Sequence, residues 1–103
     1  MTDIKPSITD ETDDLSAREK KLPKVRTTSG TMVPFEANKI IDSLVLEAEL
    51  TRADAHLVAT RVMDRIAASG IKFLSGPLIR EMCNSVLAEF GLERERIRYT
   101  RVG

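Results

Sequence analysis

The chain has 103 residues, which leaves room for one small domain, and its 16 basic and 16 acidic residues give a formal net charge of zero. This neutral balance argues against a broadly basic nucleic-acid binder, and 4% aromatic residues without tryptophan argue against a base-stacking surface for single strands. One cysteine and one histidine exclude a disulfide framework and a cysteine- or histidine-rich metal centre. No apolar run approaches the length of a membrane span, and the acidic N-terminus lacks the pattern of a signal peptide, so we expect a cytoplasmic protein.

Residues 1–22 are expected to form a disordered tail. They contain six acids and four bases, and their few apolar residues follow no period of 2 or 3.6. Such a segment buries too little apolar surface to offset the entropy lost on ordering. Pro23 marks the boundary, and residues 23–103 are expected to fold as one domain.

A β-hairpin is the first predicted element of that domain. Residues 24–28 alternate and are rich in β-branched side chains, and a second short strand is predicted over residues 31–35. The two residues between them, 29–30, end in glycine, which is typical of a hairpin turn. An isolated hairpin is marginal in water, so its apolar side chains should pack on the helices. Those expected to be buried are Val25, Val33 and Phe35.

Apolar spacing predicts helices after the hairpin. The first carries its stripe over residues 40–48, with Asn38 as the candidate N-cap. The second has its stripe over residues 55–66, opens on a capping box at Thr51 and ends at Gly70.

A short apolar segment over residues 71–74 is a candidate third strand, and a third helix follows it over residues 78–90. Ser75 is its expected cap and Pro77 lies in its first turn, where a missing N–H costs nothing. Residues 92–103 are expected to add a shorter fourth helix. The sequence therefore predicts an α+β domain, in which a β-hairpin or a three-stranded antiparallel sheet caps a bundle of three or four helices.

No catalytic constellation is found. The sequence lacks a glycine-rich phosphate loop and the local signatures of a nucleophile triad. Cys83 falls on an apolar stripe and is expected to be a buried, inert thiol. The basic residues between Arg94 and Arg101 favour either a solvated helix face or an anion site.

Residues 25–40 resemble the opening of an ATP-cone domain. That family begins with a strand, a Lys-Arg-Asp-Gly turn, a strand that ends in Pro-Phe or Pro-Trp, and a helix with a Lys-Ile pair. Residues 75–81 and 98–103 are similar to later segments of the N-terminal region of anaerobic ribonucleoside-triphosphate reductases of the archaeal type. The order and spacing of these motifs extend the resemblance over residues 24–103.

The resemblance implies an allosteric site for ATP or dATP between the hairpin and the helices, with Mg²⁺ as a further candidate ligand. It implies a regulatory domain without an active site, whose partner is the catalytic domain of a ribonucleotide reductase in cis or in trans; self-association is a further expectation. The chain is then either the N-terminal fragment of such a reductase, cut where the catalytic domain would begin, or a stand-alone cone. The residues that the resemblance places at the nucleotide are Val25, Thr27, Thr28, Lys39, Ser75 and either Arg98 or Arg101.

The turn departs from the family pattern. Thr27 and Thr28 replace its two basic residues, and Ser29 replaces its aspartate. Strand alternation puts Arg26 on the same face as Thr28, together with Lys24, so Arg26 is expected to supply the missing charge. Two alternatives stay open: a degenerate cone that serves only as a protein-interaction module, and a nucleotide-sensing regulator of transcription. The absence of cysteine pairs before residue 24 argues against the regulator.

Overall fold

Five helices and three two-residue strands make up residues 15–102, the part of the chain that the computed structural model describes. The α+β class predicted from the sequence is confirmed. No helix within this range combines the length and the apolar character that a membrane span requires. In chain order the elements are α1 (15–21), β1 (Val25–Arg26), β2 (Met32–Val33), α2 (Ala37–Glu47), α3 (Arg52–Ser69), β3 (Leu74–Ser75), α4 (Gly76–Glu89) and α5 (Glu93–Val102).

The sheet is mixed rather than antiparallel. Its strand order is β2-β1-β3, in which Val25 of β1 lies opposite Val33 of the antiparallel β2 and opposite Leu74 of the parallel β3. The prediction of an antiparallel third strand is therefore wrong, and β3 occupies Leu74–Ser75 rather than residues 71–74. The chain returns to the sheet only after α2 and α3, and such a long crossover is what a parallel pair requires.

The hairpin loop is longer than the two-residue turn that the sequence predicts. The Thr27 hydroxyl accepts a hydrogen bond from the Thr31 N–H at 3.1 Å, and the Thr27 N–H donates to the Thr31 carbonyl at 2.8 Å. Gly30, at φ 91°, donates its N–H to the Thr27 carbonyl. Glycine adopts this left-handed conformation without steric cost. Thr27 therefore organises a loop over residues 27–31, and the flanking strands shorten to two residues each.

The core lies where α2, α3 and α4 pack together beneath the sheet. The predicted apolar stripes of α2 and α3 are largely buried, whereas that of α4 is buried at its centre and exposed at Leu78 and Phe90. Phe35 joins the core at 3% exposure. Val25 and Val33 are half-buried, so the expected packing of the hairpin is confirmed for Phe35 and only in part for the two valines. The largest fully buried side chains of the helices are Leu44, Val58, Val62, Met63, Ile66, Cys83, Val86 and Leu87.

Three of the helix ends predicted from the sequence are confirmed. The Thr51 hydroxyl accepts from the Asp54 N–H at 3.1 Å and caps α3, which ends at Gly70 in the left-handed region. The Ser75 hydroxyl accepts from the Leu78 N–H at 3.3 Å and caps α4. Each of these caps satisfies an N–H that the first helical turn leaves without an intrahelical partner.

The start of α2 differs from the prediction. Glu36 rather than Asn38 occupies the N-cap position, and its side chain makes no capping hydrogen bond. The cap comes instead from Glu19 on α1, whose carboxylate accepts from the Ala37 N–H at 2.8 Å. A residue 18 positions earlier in the chain is beyond the reach of rules for local capping.

The expected disordered tail also needs a correction. Residues 1–14 lie outside the described residues, but residues 15–21 form α1. Leu15 and Leu22, seven residues apart, both pack against the core, and Arg18 pairs with Asp64 at 2.9 Å. The two leucines, one at the start of α1 and one directly after its end, dock this short segment together with the contacts of Arg18 and Glu19.

Replacing Glu19 with alanine should lower the free energy of unfolding by about 0.5–2 kcal/mol, the range for the loss of an N-cap. Urea unfolding measures this difference. Lys20→Ala removes an exposed neighbour on α1 and should change the stability by less than about 0.5 kcal/mol. Equal stabilities of the Glu19 variant and the wild type would show that α1 does not stabilise α2.

Candidate functional site

A cleft of about 500 Å³ opens between the hairpin, α2 and the first turns of α4. Its volume falls in the range of small-molecule sites, and most of its wall is apolar with a few polar groups between. Helix α5 contributes one residue to the wall. The lining consists of residues 25–28, 33–36, Lys39, Ile40, Ser43, residues 75–77, Ile79, Arg80 and Tyr99.

Six of the eight residues predicted to bind nucleotide line this cleft: Val25, Arg26, Thr27, Thr28, Lys39 and Ser75. Arg98 and Arg101 do not line it; Arg98 faces Glu49 at 3.6 Å, and Arg101 is exposed on α5. The residue of α5 that does face the cleft is Tyr99. Successive side chains of a helix diverge by about 100°, so the neighbours of Tyr99 point elsewhere.

Positive charge is concentrated in the cleft. Arg26, Lys39 and Arg80 line it, against the single carboxylate of Glu36, although the chain as a whole is neutral. The Lys39 Nζ lies 3.1 Å from the Glu36 Oε1, but the Lys39 side chain is 77% exposed. An ion pair this open to water contributes at most about 1 kcal/mol, so Lys39 is free to turn toward another anion.

Hydrogen-bond donors surround this charge. Ser75 accepts the Leu78 N–H with its oxygen, which leaves its own hydroxyl hydrogen for a ligand. The start of α4 adds the positive end of a helix dipole, although Pro77 removes one of its N–H groups. The Thr27 hydroxyl is used within the loop, whereas Thr28 is exposed beside the cleft.

Sequence reasoning missed the polar wall of the cleft formed by Arg80, Tyr99 and Ser43. The Arg80 guanidinium lies 4.1 Å from the centre of the Tyr99 ring, and its Nη2 donates to the Glu47 carboxylate. The Ser43 and Tyr99 hydroxyls lie 3.3 Å apart. One signal was available in the sequence, because Tyr99 is the sole aromatic residue of a helix in which most residues are charged.

The Tyr99 hydroxyl of this wall and the buried Cys83 thiol are both neutral at pH 7. Burial raises the pKa of the Tyr99 hydroxyl to about 12, so it remains a hydrogen-bond donor. Burial also raises the pKa of the Cys83 thiol to about 11. The expectation of a buried cysteine is confirmed, and its high pKa keeps it in the unreactive thiol form.

The described residues do not form a protein-made metal site. Within residues 15–102, no group of three or more histidine, cysteine, aspartate or glutamate side chains is arranged to hold a metal ion. A magnesium ion bound here would therefore have to be held mainly by its ligand and by water, as Mg²⁺ commonly is beside phosphates.

In comparisons with known proteins, no protein-family model matches the chain and no curated protein matches it. The resemblance to ATP cones therefore depends on the motifs of residues 25–40, 75–81 and 98–103.

The free energy of unfolding should fall as the pH rises from about 9 to about 11. The pKa of Cys83 is raised in the folded protein, so its contribution is complete below the ordinary thiol pKa and is lost as the pH rises toward about 11. The expected slope is about 1.4 kcal/mol per pH unit, and Tyr99 extends the loss toward pH 12. Urea unfolding at a series of pH values measures it.

Cys83→Ala is the matched variant for this pH series. It should remove the loss of stability that begins near pH 9. It should leave a smaller loss that begins near pH 10, where tyrosine ordinarily ionises, because Cys83 is one cause of the raised pKa of Tyr99. A wild-type stability that stays level between pH 9 and 10 would contradict the assignment to Cys83.

Proposed function

We propose that the protein is a regulatory domain that binds ATP or dATP in the cleft and has no active site of its own. The observation that carries this proposal is the charge of the cleft in a chain of zero net charge: Arg26, Lys39 and Arg80 line it, against Glu36 in the lining and Glu47, which pairs with Arg80 from outside it. A cleft with this balance favours an anionic ligand, and its volume of about 500 Å³ is in the range of small-molecule sites.

The phosphates would lie between the hairpin and the start of α4. Arg26 offers a guanidinium fork, Lys39 a mobile ammonium group, and Ser75 a hydroxyl at a helix N-terminus. Guanidinium groups match phosphate oxygens in pairs, and helix N-termini stabilise bound phosphate. Arg26 thus supplies charge that the threonines at 27 and 28 lack.

The nucleoside would occupy the apolar part of the cleft. Val25, Val33, Ile40 and Ile79 give a wall against which a flat base can pack. The Tyr99 hydroxyl, which stays protonated at pH 7, supplies a donor at the polar wall. The site thus combines apolar surface with a few placed polar groups, as nucleotide sites do.

The regulated partner would be the catalytic domain of an anaerobic ribonucleotide reductase, in cis or in trans, in the cytoplasm. This part of the proposal is supported by the ATP-cone motifs of residues 25–40, 75–81 and 98–103. ATP or dATP would act as an effector rather than a substrate, because no catalytic constellation is found in the sequence.

A second candidate function is a protein-interaction module that has lost nucleotide binding. It is favoured by the exposed apolar side chains beside Arg26 on the sheet: Phe73 is 80% exposed and Met32 is 46% exposed. The two candidates differ in one measurable quantity. ATP at about 100 times its dissociation constant would add about 2.7 kcal/mol to the stability of a nucleotide-binding domain. It would add nothing to a module that does not bind nucleotide.

Lys39→Ala and Arg26→Ala should each weaken ATP binding about ten- to a hundredfold. Each removes a charge-assisted bond of about 1.5–3 kcal/mol, and 1.4 kcal/mol corresponds to about tenfold in affinity. Calorimetric titration at fixed salt measures the change. Arg61→Ala is the matched control, because Arg61 is an exposed arginine of α3 that pairs with Glu89 outside the cleft. Equal affinities in all variants, or no binding by the wild type at millimolar ATP, would refute the proposal.

A further inference from the structure

Arg80 lines the cleft and at the same time joins three helices. It belongs to α4, its Nη2 donates to Glu47 of α2, and its guanidinium stacks on the ring of Tyr99 in α5. The same Nη2 lies 3.4 Å from the Tyr99 carbonyl. A displacement of this one side chain therefore changes contacts with both neighbouring helices.

The bonding of Arg80 is incomplete in the structure. Its Nε is buried without a hydrogen-bond partner, and the contact to the Tyr99 carbonyl is long. A buried donor without a partner destabilises the arrangement that leaves it unpaired. The side chain as a whole is 28% exposed and lines the cleft, so a ligand can reach it. An acceptor atom in the cleft thus offers Arg80 a hydrogen bond that competes with its bonds to Glu47 and to the Tyr99 carbonyl.

Helix α5 depends on Tyr99 for its attachment. Tyr99 is the one fully buried side chain among the described residues of this helix, at 2% exposure. The other side-chain contacts from α5 to the bundle are weak: Arg98 faces Glu49 at 3.6 Å, and Thr100 faces Asn84 at 3.4 Å. Exposed polar contacts of this kind contribute little stability. The packing of the Tyr99 ring, on which Arg80 lies, therefore determines how firmly α5 is held.

We infer that Arg80 couples occupancy of the cleft to the attachment of α5. An anionic group of the ligand competes with Glu47 and the Tyr99 carbonyl for the guanidinium, and when Arg80 turns to the ligand, α5 loosens. A ligand shifts such an equilibrium only through contacts that differ between the two states, and here that contact is the bond from Arg80 to the anion. The identity of the ligand rests on the proposed function.

Amide hydrogen exchange of the full chain with and without ATP tests this coupling. Binding to the folded state slows exchange at amides that open only on global unfolding, and the amides at the centre of α3 report that effect. Amides of α5 should respond in the opposite direction and exchange about threefold faster or more, because they open locally. The expected result is slower amide exchange in α3 and faster amide exchange in α5 when ATP is added.

Two variants test the role of Arg80 itself. Arg80→Lys keeps the charge but loses the planar stacking on Tyr99, and Glu47→Gln weakens the competing ion pair. In Arg80→Lys, α5 should exchange faster without ligand, and ATP should slow α3 without accelerating α5 further. In Glu47→Gln, which weakens a competitor of the ligand for Arg80, ATP should accelerate α5 at least as much as in the wild type. Arg65→Lys is the matched control: Arg65 joins α3 to Glu89 of α4 outside the cleft, and both wild-type responses should persist.

The outcomes separate this inference from the proposed function. If ATP slows exchange equally in α3 and α5, the coupling is refuted and nucleotide binding stands. If ATP changes neither helix and calorimetry shows no binding, the proposed function is refuted and the coupling falls with it. If ligand-free Arg80→Lys exchanges like the wild type in α5, Arg80 does not hold that helix, and the inference is refuted whether or not ATP binds.

Discussion

The two residues of β1 are the constraint on which the rest of the architecture depends. Val25 lies opposite Val33 on one side and Leu74 on the other, so β1 joins the hairpin to the segment that opens α4. These pairings bring residues about fifty positions apart in the chain to one sheet. Without the parallel pair, Ser75 and the start of α4 would not face the hairpin, and the cleft would lose the wall that α4 forms.

The thin core is supplemented by polar links between helices. Glu19 caps α2 from α1, Arg65 joins α3 to Glu89, and Arg80 joins α4 to α2 and α5. A domain of this size buries limited apolar surface, so single contacts of about 1 kcal/mol form a sizeable part of its stability. Two of these links, at Glu19 and Arg80, involve helices that also line the cleft.

Two of the cations that line the cleft are held in ion pairs with carboxylates, and another anion can compete for them. Lys39 and Arg80 each have a carboxylate partner, Glu36 and Glu47. The Lys39–Glu36 pair is open to water and therefore weak, whereas the Arg80–Glu47 pair is only 28% exposed at each side chain. The two cations differ in what a movement of their side chains would disturb. Lys39 lies on an exposed helix face, whereas Arg80 stacks on the buried ring of Tyr99.

The sequence by itself determined the features that depend on neighbours a few residues apart. The apolar stripes, the caps at Thr51 and Ser75, the stop at Gly70 and the α+β class all follow from spacings of two to four residues.

Only the tertiary structure decided the rest. The parallel direction of β3, the docking of α1, the cap from Glu19 and the grouping of Arg80 with Tyr99 join residues far apart in the chain. It also decided that Tyr99 rather than Arg98 or Arg101 faces the cleft, because the rotation of α5 is set by which of its side chains is buried. Such contacts form when long loops close around a shared core, and loop closure leaves no local pattern in the sequence.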